Sequence, residues 1–541
     1  MRGFEKSSVY QIYPKSFKDT TGSGQGDIKG IIQKLDYIKN LGVDFIWLTP
    51  IYPSPQYDNG YDVADYYKIN PEFGTMEDFE KLVEEARKRE MKIMLDMVFN
   101  HTSTYHEWFQ KALKGDKKYM DYYIFKDPVN GKEPTNWISK FGGNAWEYVE
   151  DLGKYYLHLF DRTQADLNWE NPELRQEIYD ICNFWLEKGV KGFRLDVINL
   201  ISKPYIYEDD NIGDGRRFYT DGHKIHEYLK ELNRQSFGKY EDVVTVGEMS
   251  STSIENCIKY SSVEEKELSM TFNFHHLKVD YKNGDKWSHM DFDFMELKRL
   301  FSTWQIEMDK GGGWNALFWC NHDQPRIVSR LGDDKNYHRE SATMLATAIH
   351  MMKGTPYIYQ GEEFGMTNAY FDDIKDYRDV ESLNYYNILI KDKSKDEVLK
   401  ILQQKSRDNS RTPVQWDTSK NGGFSTGIPW LNTCNNYLEI NAEKALADNN
   451  SIFYHYKKLL EIRKKYDTVA YGSYEIIDMA NPSLYVYKRK YKDEEMLVIC
   501  NFYGLEVEHD LDLNSYVLIN SNYKNETEKV RAYEARIYIK K

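Results

Sequence analysis

A chain of 541 residues, 29% charged and 41% hydrophobic, is long enough for more than one domain and has the balance of a water-soluble globular protein. Its formal charge of −14 offers phosphate backbones no basic footprint, which excludes nucleic acid as a partner. No stretch approaches the roughly 20 apolar residues of a membrane span, and the N-terminus carries no signal-type apolar segment. Five cysteines, Cys182, Cys257, Cys320, Cys434 and Cys500, are scattered and never form a C-x-x-C pair. They read as reduced buried thiols, not as a disulfide framework or zinc cluster, and a cytoplasmic location is expected.

Along the chain, short β-rich runs alternate with helical patterns. The runs begin at 9-VYQIYP, 43-VDFIWLTP, 92-KIMLDMVFNH, 190-VKGFRLDV, 243-VVTVGEM, 268-LSMTFNF, 316-ALFWCNHD and 356-PYIYQGEE. Helical segments lie between them, such as 76-MEDFEKLVEEARKRE, 172-PELRQEIYDICNFWLEKG and 338-HRESATMLATAIHMMKG. The second opens with Pro in its first turn and ends at Gly, as helices do. Eight such units predict an α/β fold, a (β/α)8 TIM barrel, whose chemistry gathers where the strands end.

Two interruptions stand out. About 65 residues rich in Tyr, Trp, Gly and Asn follow the third strand, too many for an ordinary loop. They predict an inserted domain over 104–167, which splits the catalytic barrel into 1–103 and 168–465. A second long excursion follows the eighth strand and contains 405-KSRDNSRTPVQWD and 421-NGGFSTG; it is expected to wall the pocket. From residue 466 the pattern turns to alternating apolar and polar residues, which predicts a C-terminal antiparallel β domain over 466–541 that closes the barrel.

Polar residues mark the strand ends: His101 after the third, Asp196 at the fourth, Glu248 at the fifth, and His322 with Asp323 at the seventh. Asp196 stands two residues from Arg194, so both point to one face and the guanidinium is expected to keep the carboxylate ionised. That suits a nucleophile. Glu248, beside apolar Met249, is expected to keep a proton and act as acid/base. Breaking a glycosidic bond through an oxocarbenium-like state needs such a pair, and adjacent strands predict the roughly 5 Å separation of retaining enzymes. The aromatic share of 15% supplies flat faces for sugar rings as well as core filling.

At 96-DMVFNH, 164-QADLNW, 192-GFRLDVIN, 247-GEMS and 318-FWCNHD the sequence resembles the α-amylase superfamily of glycoside hydrolases over essentially the whole chain. The resemblance implies Asp196 as nucleophile, Glu248 as acid/base and Asp323 as transition-state stabiliser. It places Asp58, Tyr61, His101, Arg194, His322 and Arg407 around the glucose whose bond is cut. Within the superfamily the chain is similar to the oligo-1,6-glucosidase branch, and there to enzymes of trehalose 6-phosphate, through 10-YQIYPKSFKDTTG, 56-QYDNGYD, 272-FNFHHLKVDYKNGDKW, 311-GGGWNALFWCNHDQPR and 405-KSRDNSRTPVQWD. Val197 after the nucleophile is typical of members not devoted to α-1,4 bonds.

The implied substrate is a small sugar phosphate, cut at its α,α-1,1 bond. Its phosphate needs local cations, and Lys278, Lys282 and Lys286 after the sixth strand are the candidates. The alternatives are an oligo-1,6-glucosidase of neutral isomaltose-type sugars, a transglycosylating or isomerising enzyme, and a barrel kept only for binding. The last would lack one of the acids. No cofactor or metal is expected: the loop 19-DTTGSGQGD, where many relatives hold calcium, offers only Asp19 and Asp27 as carboxylates.

Overall fold

The computed structural model describes residues 3–541. All eight predicted strands form, at Val9–Ile12, Phe45–Leu48, Lys92–Val98, Gly192–Asp196, Val244–Glu248, Met270–Phe272, Ala316–Leu317 and Thr355–Tyr359. They pair in parallel in the order six, five, four, three, two, one, eight, seven. The two ends of that order meet through a parallel bridge between Thr271 and Asn315, so the sheet curls into the (β/α)8 barrel.

The covering helices follow from their local sequence. Thr75 caps Met76–Lys88 in a reciprocal capping box with Asp78, and Phe79, Leu82 and Ala86 bury one face of that helix. Asn171 caps Pro172–Glu187, with Pro172 in the first turn, where its missing N–H is not needed. Inside the barrel, the second, fourth, sixth and eighth strands contribute Trp47, Arg194, Phe272 and Tyr357. The three rings meet at centroid distances of 4.6 to 6.1 Å, and the Arg194 guanidinium lies 5.2 Å from the Trp47 ring. One side chain from each alternate strand is how a barrel fills a layer of its core. Here one of the four is a cation.

After the third strand the chain leaves the barrel. His101–Ser103 pairs antiparallel with Gln164–Asp166, so the excursion begins and ends at one place. Beyond it lie helix Glu107–Leu113 and a small antiparallel sheet of Phe125–Lys126, Trp146–Val149 and Lys154–Leu157. This inserted segment is seated on the loop that follows the fourth strand, which the sequence did not single out. Trp137 packs among Leu200, Tyr219 and Phe218, and its indole N–H donates to the Glu208 carbonyl at 2.9 Å. Gly215 lies beneath the indole at φ +93°, and a Cβ there would stand 2.4 Å from Trp137 Cγ. Only glycine fits both the backbone and the space.

Helix Ile452–Lys465 and the short Asp467–Tyr471 precede a five-stranded antiparallel sheet of Ser473–Ile477, Leu484–Tyr491, Glu494–Asn501, Tyr516–Ser521 and Ala535–Lys540. The sheet rests against outer helices Phe294–Lys310 and His338–His350: Tyr487 OH donates to the Ala348 carbonyl at 2.9 Å. It therefore covers the flank of the barrel, where the sequence predicted closure. All five cysteines are buried. No helix among the described residues is long and apolar enough to cross a membrane.

The joint between barrel and sheet depends on Lys298, whose buried ammonium donates to the carbonyls of Asp478, Asn481 and Leu484 at 2.9 to 3.0 Å. Lys298→Met leaves those carbonyls without a donor and is expected to destabilise the joint by about 2–3 kcal/mol. Calorimetry should show a lowered melting temperature; an unchanged one would mean that water replaces the ammonium without loss.

Candidate active site

The floor of the site is the upper side of the Arg194 guanidinium. One terminal nitrogen, Nη1, donates to Asp96 at 2.8 Å and to Asp196 at 2.6 Å; Nη2 donates to Glu248 at 2.5 Å. The three acids come from the third, fourth and fifth strands, neighbours in the barrel. Sharing one planar group holds the Asp196 and Glu248 carboxylates side by side. Asp96 is fixed further by Tyr61 OH at 2.8 Å and the Trp47 indole N–H at 3.2 Å.

Between Asp196 and Glu248 the backbone is strained. Val197 sits at φ +36°, a left-handed conformation that a β-branched residue resists. The twist turns its N–H toward Glu248, at 3.2 Å from the carboxylate. Burial raises the Asp196 carboxyl well above the usual range; Arg194 opposes this, while Glu248 and Asp96 reinforce it. Burial likewise lifts Asp96 to about 6. The sequence reading of an Asp196 kept ionised by its own arginine is thus modified. One cation divided among three buried carboxylates favours retention of a proton within the group.

A second cationic cluster faces the first. Arg407 reaches Asp58 at 3.3 Å, Asp323 at 3.1 Å and Asp379 at 2.6 Å, and Arg411 reaches Asp323 at 2.7 Å. Burial acts to raise Asp323, but His322, Arg407 and Arg411 together hold it well below the usual carboxylate range. Asp58 shares Arg407 with more acids, and burial pushes it up to about 7. His322 stacks on Tyr61 at 5.1 Å and its Nδ1 accepts from the Gln11 side-chain amide at 2.8 Å. Burial lowers His322 to about 3 and His101 to about 4, so both rings are neutral near pH 7. Gln164, from the last strand of the inserted segment, ties Asp58 to His101 at 3.1 Å each.

These groups line one pocket of about 240 Å³. Asp58, Tyr61, His101, Asp196, Glu248, Asp323 and Arg407 all border it, with Arg194 and His322 packed directly behind. Phe141 and Phe160 from the inserted segment and Phe274 after the sixth strand supply apolar walls.

The three candidate lysines separate. Lys278 lines the pocket, and Lys286 lines it while paired to Glu381 at 2.6 Å. Lys282 does not: it borders another groove, with Trp287 and His289. The reason is a tight turn in which Lys282 and Asp285 form an antiparallel bridge around Asn283 and Gly284, both left-handed. Sequence reasoning also missed Asp96, Gln164, Asp379, Glu381 and Arg411. Asp96, Gln164 and Arg411 had a signal, since each lies in a stretch that carries the family resemblance, 96-DMVFNH, 164-QADLNW and 405-KSRDNSRTPVQWD.

The loop 19–27 forms no oxygen cage for a hard cation. Both Asp19 oxygens accept from donors, the N–H groups of Thr21, Gly22 and Gly24 and the Ser425 hydroxyl, while Asp27 caps a helix and accepts from Thr20. A cation would have to displace these bonds.

The family model for the catalytic domain of alpha amylase matches residues 11–472. The chain is 59% identical over 548 residues to the trehalose-6-phosphate hydrolase of Bacillus subtilis (strain 168), covering 99% of this chain and 98% of that protein. It is 48% identical over 552 residues to an oligo-1,6-glucosidase of Bacillus cereus, covering 99% of each. The crystal structure of Bacillus licheniformis trehalose-6-phosphate hydrolase matches with a TM-score of 0.95 at 59% identity, over 99% of this chain and 100% of that one.

Replacing Arg407 with Met removes the cation that Asp58, Asp323 and Asp379 share. Breaking a buried ion pair from one side typically destabilises by about 3–5 kcal/mol. A clear fall in melting temperature is expected; none at all would show that the carboxyls simply take up protons.

Proposed function

The chain belongs to the α-amylase family of glycoside hydrolases, and on that premise we propose that it hydrolyses trehalose 6-phosphate to glucose and glucose 6-phosphate with retention at the anomeric carbon. The observation that carries this reading is the pair of carboxylates, Asp196 and Glu248, held by one guanidinium at the floor of a pocket that also presents lysines. Such a close pair fits the roughly 5–5.5 Å class of retaining enzymes, since an inverting pair stands further apart to admit a water.

In the first step an Asp196 oxygen bonds to the anomeric carbon as the glycosidic bond breaks, and Glu248 gives its proton to the departing oxygen of glucose 6-phosphate. In the second, Glu248 takes a proton from water, whose oxygen displaces Asp196 and releases glucose. The first step thus needs Asp196 without a proton and one proton available for the departing oxygen. Asp323, kept ionised between two arginines, stabilises the positive charge that builds on the sugar ring. Asp58, His101, His322 and Arg407 grip the hydroxyls, the neutral histidines as donors or acceptors. Lys278 and Lys286 offer charge to the phosphate, and the relatives named trehalose-6-phosphate hydrolase share more of the sequence than the oligo-1,6-glucosidase does. Five buried thiols fit a cytoplasmic enzyme.

Purified protein is expected to hydrolyse trehalose 6-phosphate with a kcat/KM at least tenfold above those for trehalose and isomaltose. Faster turnover of isomaltose would reassign it as an oligo-1,6-glucosidase. The pH profile tests the charge arrangement. A proton on Asp196 removes the nucleophile, so kcat/KM for a neutral aryl glucoside should fall as pH drops, along a limb above the ordinary carboxylate range near pH 4. Asp96→Asn deletes a negative neighbour, favours ionised Asp196 and should shift that limb to lower pH; an upward shift would contradict the scheme.

A further inference from the structure

Glu248 protonates the leaving oxygen, so residues beside it on the chain lie on the side of the sugar that departs. Two positions on, Ser250 is held rigidly: its N–H donates to Asn199 Oδ1 at 2.9 Å, and its carbonyl accepts from Asn199 Nδ2 at 3.0 Å. Asn199 is itself tied to Asp221 at 3.0 Å. The Ser250 hydroxyl, which borders the pocket, accepts from the ammonium of Lys140 at 3.2 Å. Lys140 comes from the inserted segment, borders the same pocket and lies 5.7 Å from the Tyr219 ring.

The ammonium is left in an uncommon state. Of the lysines that line this pocket, Lys286 finds a carboxylate in Glu381. Among the described residues Lys140 makes no ion pair, although it is half-buried, and the cations Arg216 and Lys278 lie within electrostatic reach. A desolvated, unpaired ammonium that already hydrogen-bonds a fixed hydroxyl is incomplete without an anion. Lys278 presents a second charge to the same space from the barrel side.

We propose that Lys140, steadied by Ser250, binds the phosphate of the departing sugar and so helps the enzyme select a phosphorylated over a neutral disaccharide. This rests on the reading above that the substrate is trehalose 6-phosphate. The inserted segment thereby takes part in choosing the leaving group, while the barrel supplies the bond-breaking acids. Burial, with Arg216 and Lys278 adding to it and Asp214 and Glu248 opposing, lowers Lys140 to about 8. Its charge is present below that pH and lost above it. The kcat/KM for trehalose 6-phosphate should then decline above about pH 8 relative to that for an aryl glucoside.

The test compares parent, Lys140→Ala, Lys140→Met and Lys140→Arg on trehalose 6-phosphate and p-nitrophenyl α-glucoside. Losing one charge-assisted contact should lower the ratio of kcat/KM, phosphate ester over aryl glucoside, by about 10–100-fold in the Ala and Met variants, mainly through KM. Arg should restore most of the ratio and move the alkaline decline upward. If the Ala variant fails to fold, the Met variant, which keeps the aliphatic stem near Tyr219, carries the comparison. A ratio within twofold of the parent in the folded variants overturns the role of Lys140. A parent with no preference for trehalose 6-phosphate over trehalose overturns instead the reading beneath it.

Discussion

Everything at the reactive end of this barrel depends on one buried cation. Arg194 occupies a core position, in the layer where Trp47, Phe272 and Tyr357 fill the barrel, and its hydrogen-bonding edge meets Asp96, Asp196 and Glu248. Three carboxylates with no counter-charge could not be buried together, because each would carry a desolvation penalty of several kcal/mol. One guanidinium among three leaves a deficit of positive charge, and the deficit leaves a proton in the cluster. The same residue thus packs the barrel, aligns the acids and arranges that one of them is neutral.

The rest of the pocket distributes charge by distance from that floor. Arg407 and Arg411 neutralise Asp58, Asp323 and Asp379. Lys140, Lys278 and Lys286 line the same pocket, Lys286 with Glu381 as its partner. The net charge of the chain says nothing of this; a molecule that repels anions overall can hold a local positive field. A neutral disaccharide would leave Lys140 and Lys278 partly desolvated without a counter-ion, so on the proposed reading discrimination comes from what the wrong substrate fails to satisfy as well as from what the right one gains.

Much of the fold was legible because period and punctuation agree in it. Every barrel strand was marked by a short apolar run, and the acids at 196 and 248 by their places at strand ends. What escaped notice had no period to reveal it. Asp379 and Glu381 lie in the irregular excursion after the eighth strand, and only the folded chain brings them to Arg407. Lys282 shows that nearness in sequence is not nearness in space: the Asn283–Gly284 turn carries it to another groove. The flank position of the C-terminal sheet was hidden as well, since alternation along strands tells which face is apolar and not which surface it meets.

The seat of Trp137 on Gly215 binds two stretches of chain that are far apart in sequence into one mechanical unit. Segment exchange between relatives therefore has a natural cutting pattern. A graft of the region after the third strand carries its own tryptophan but needs a recipient whose fourth connection leaves a flat, side-chain-free landing place. Chimeras that transfer both pieces keep the wall upright, and those that transfer one leave a bulky ring to collide or to hang over a void.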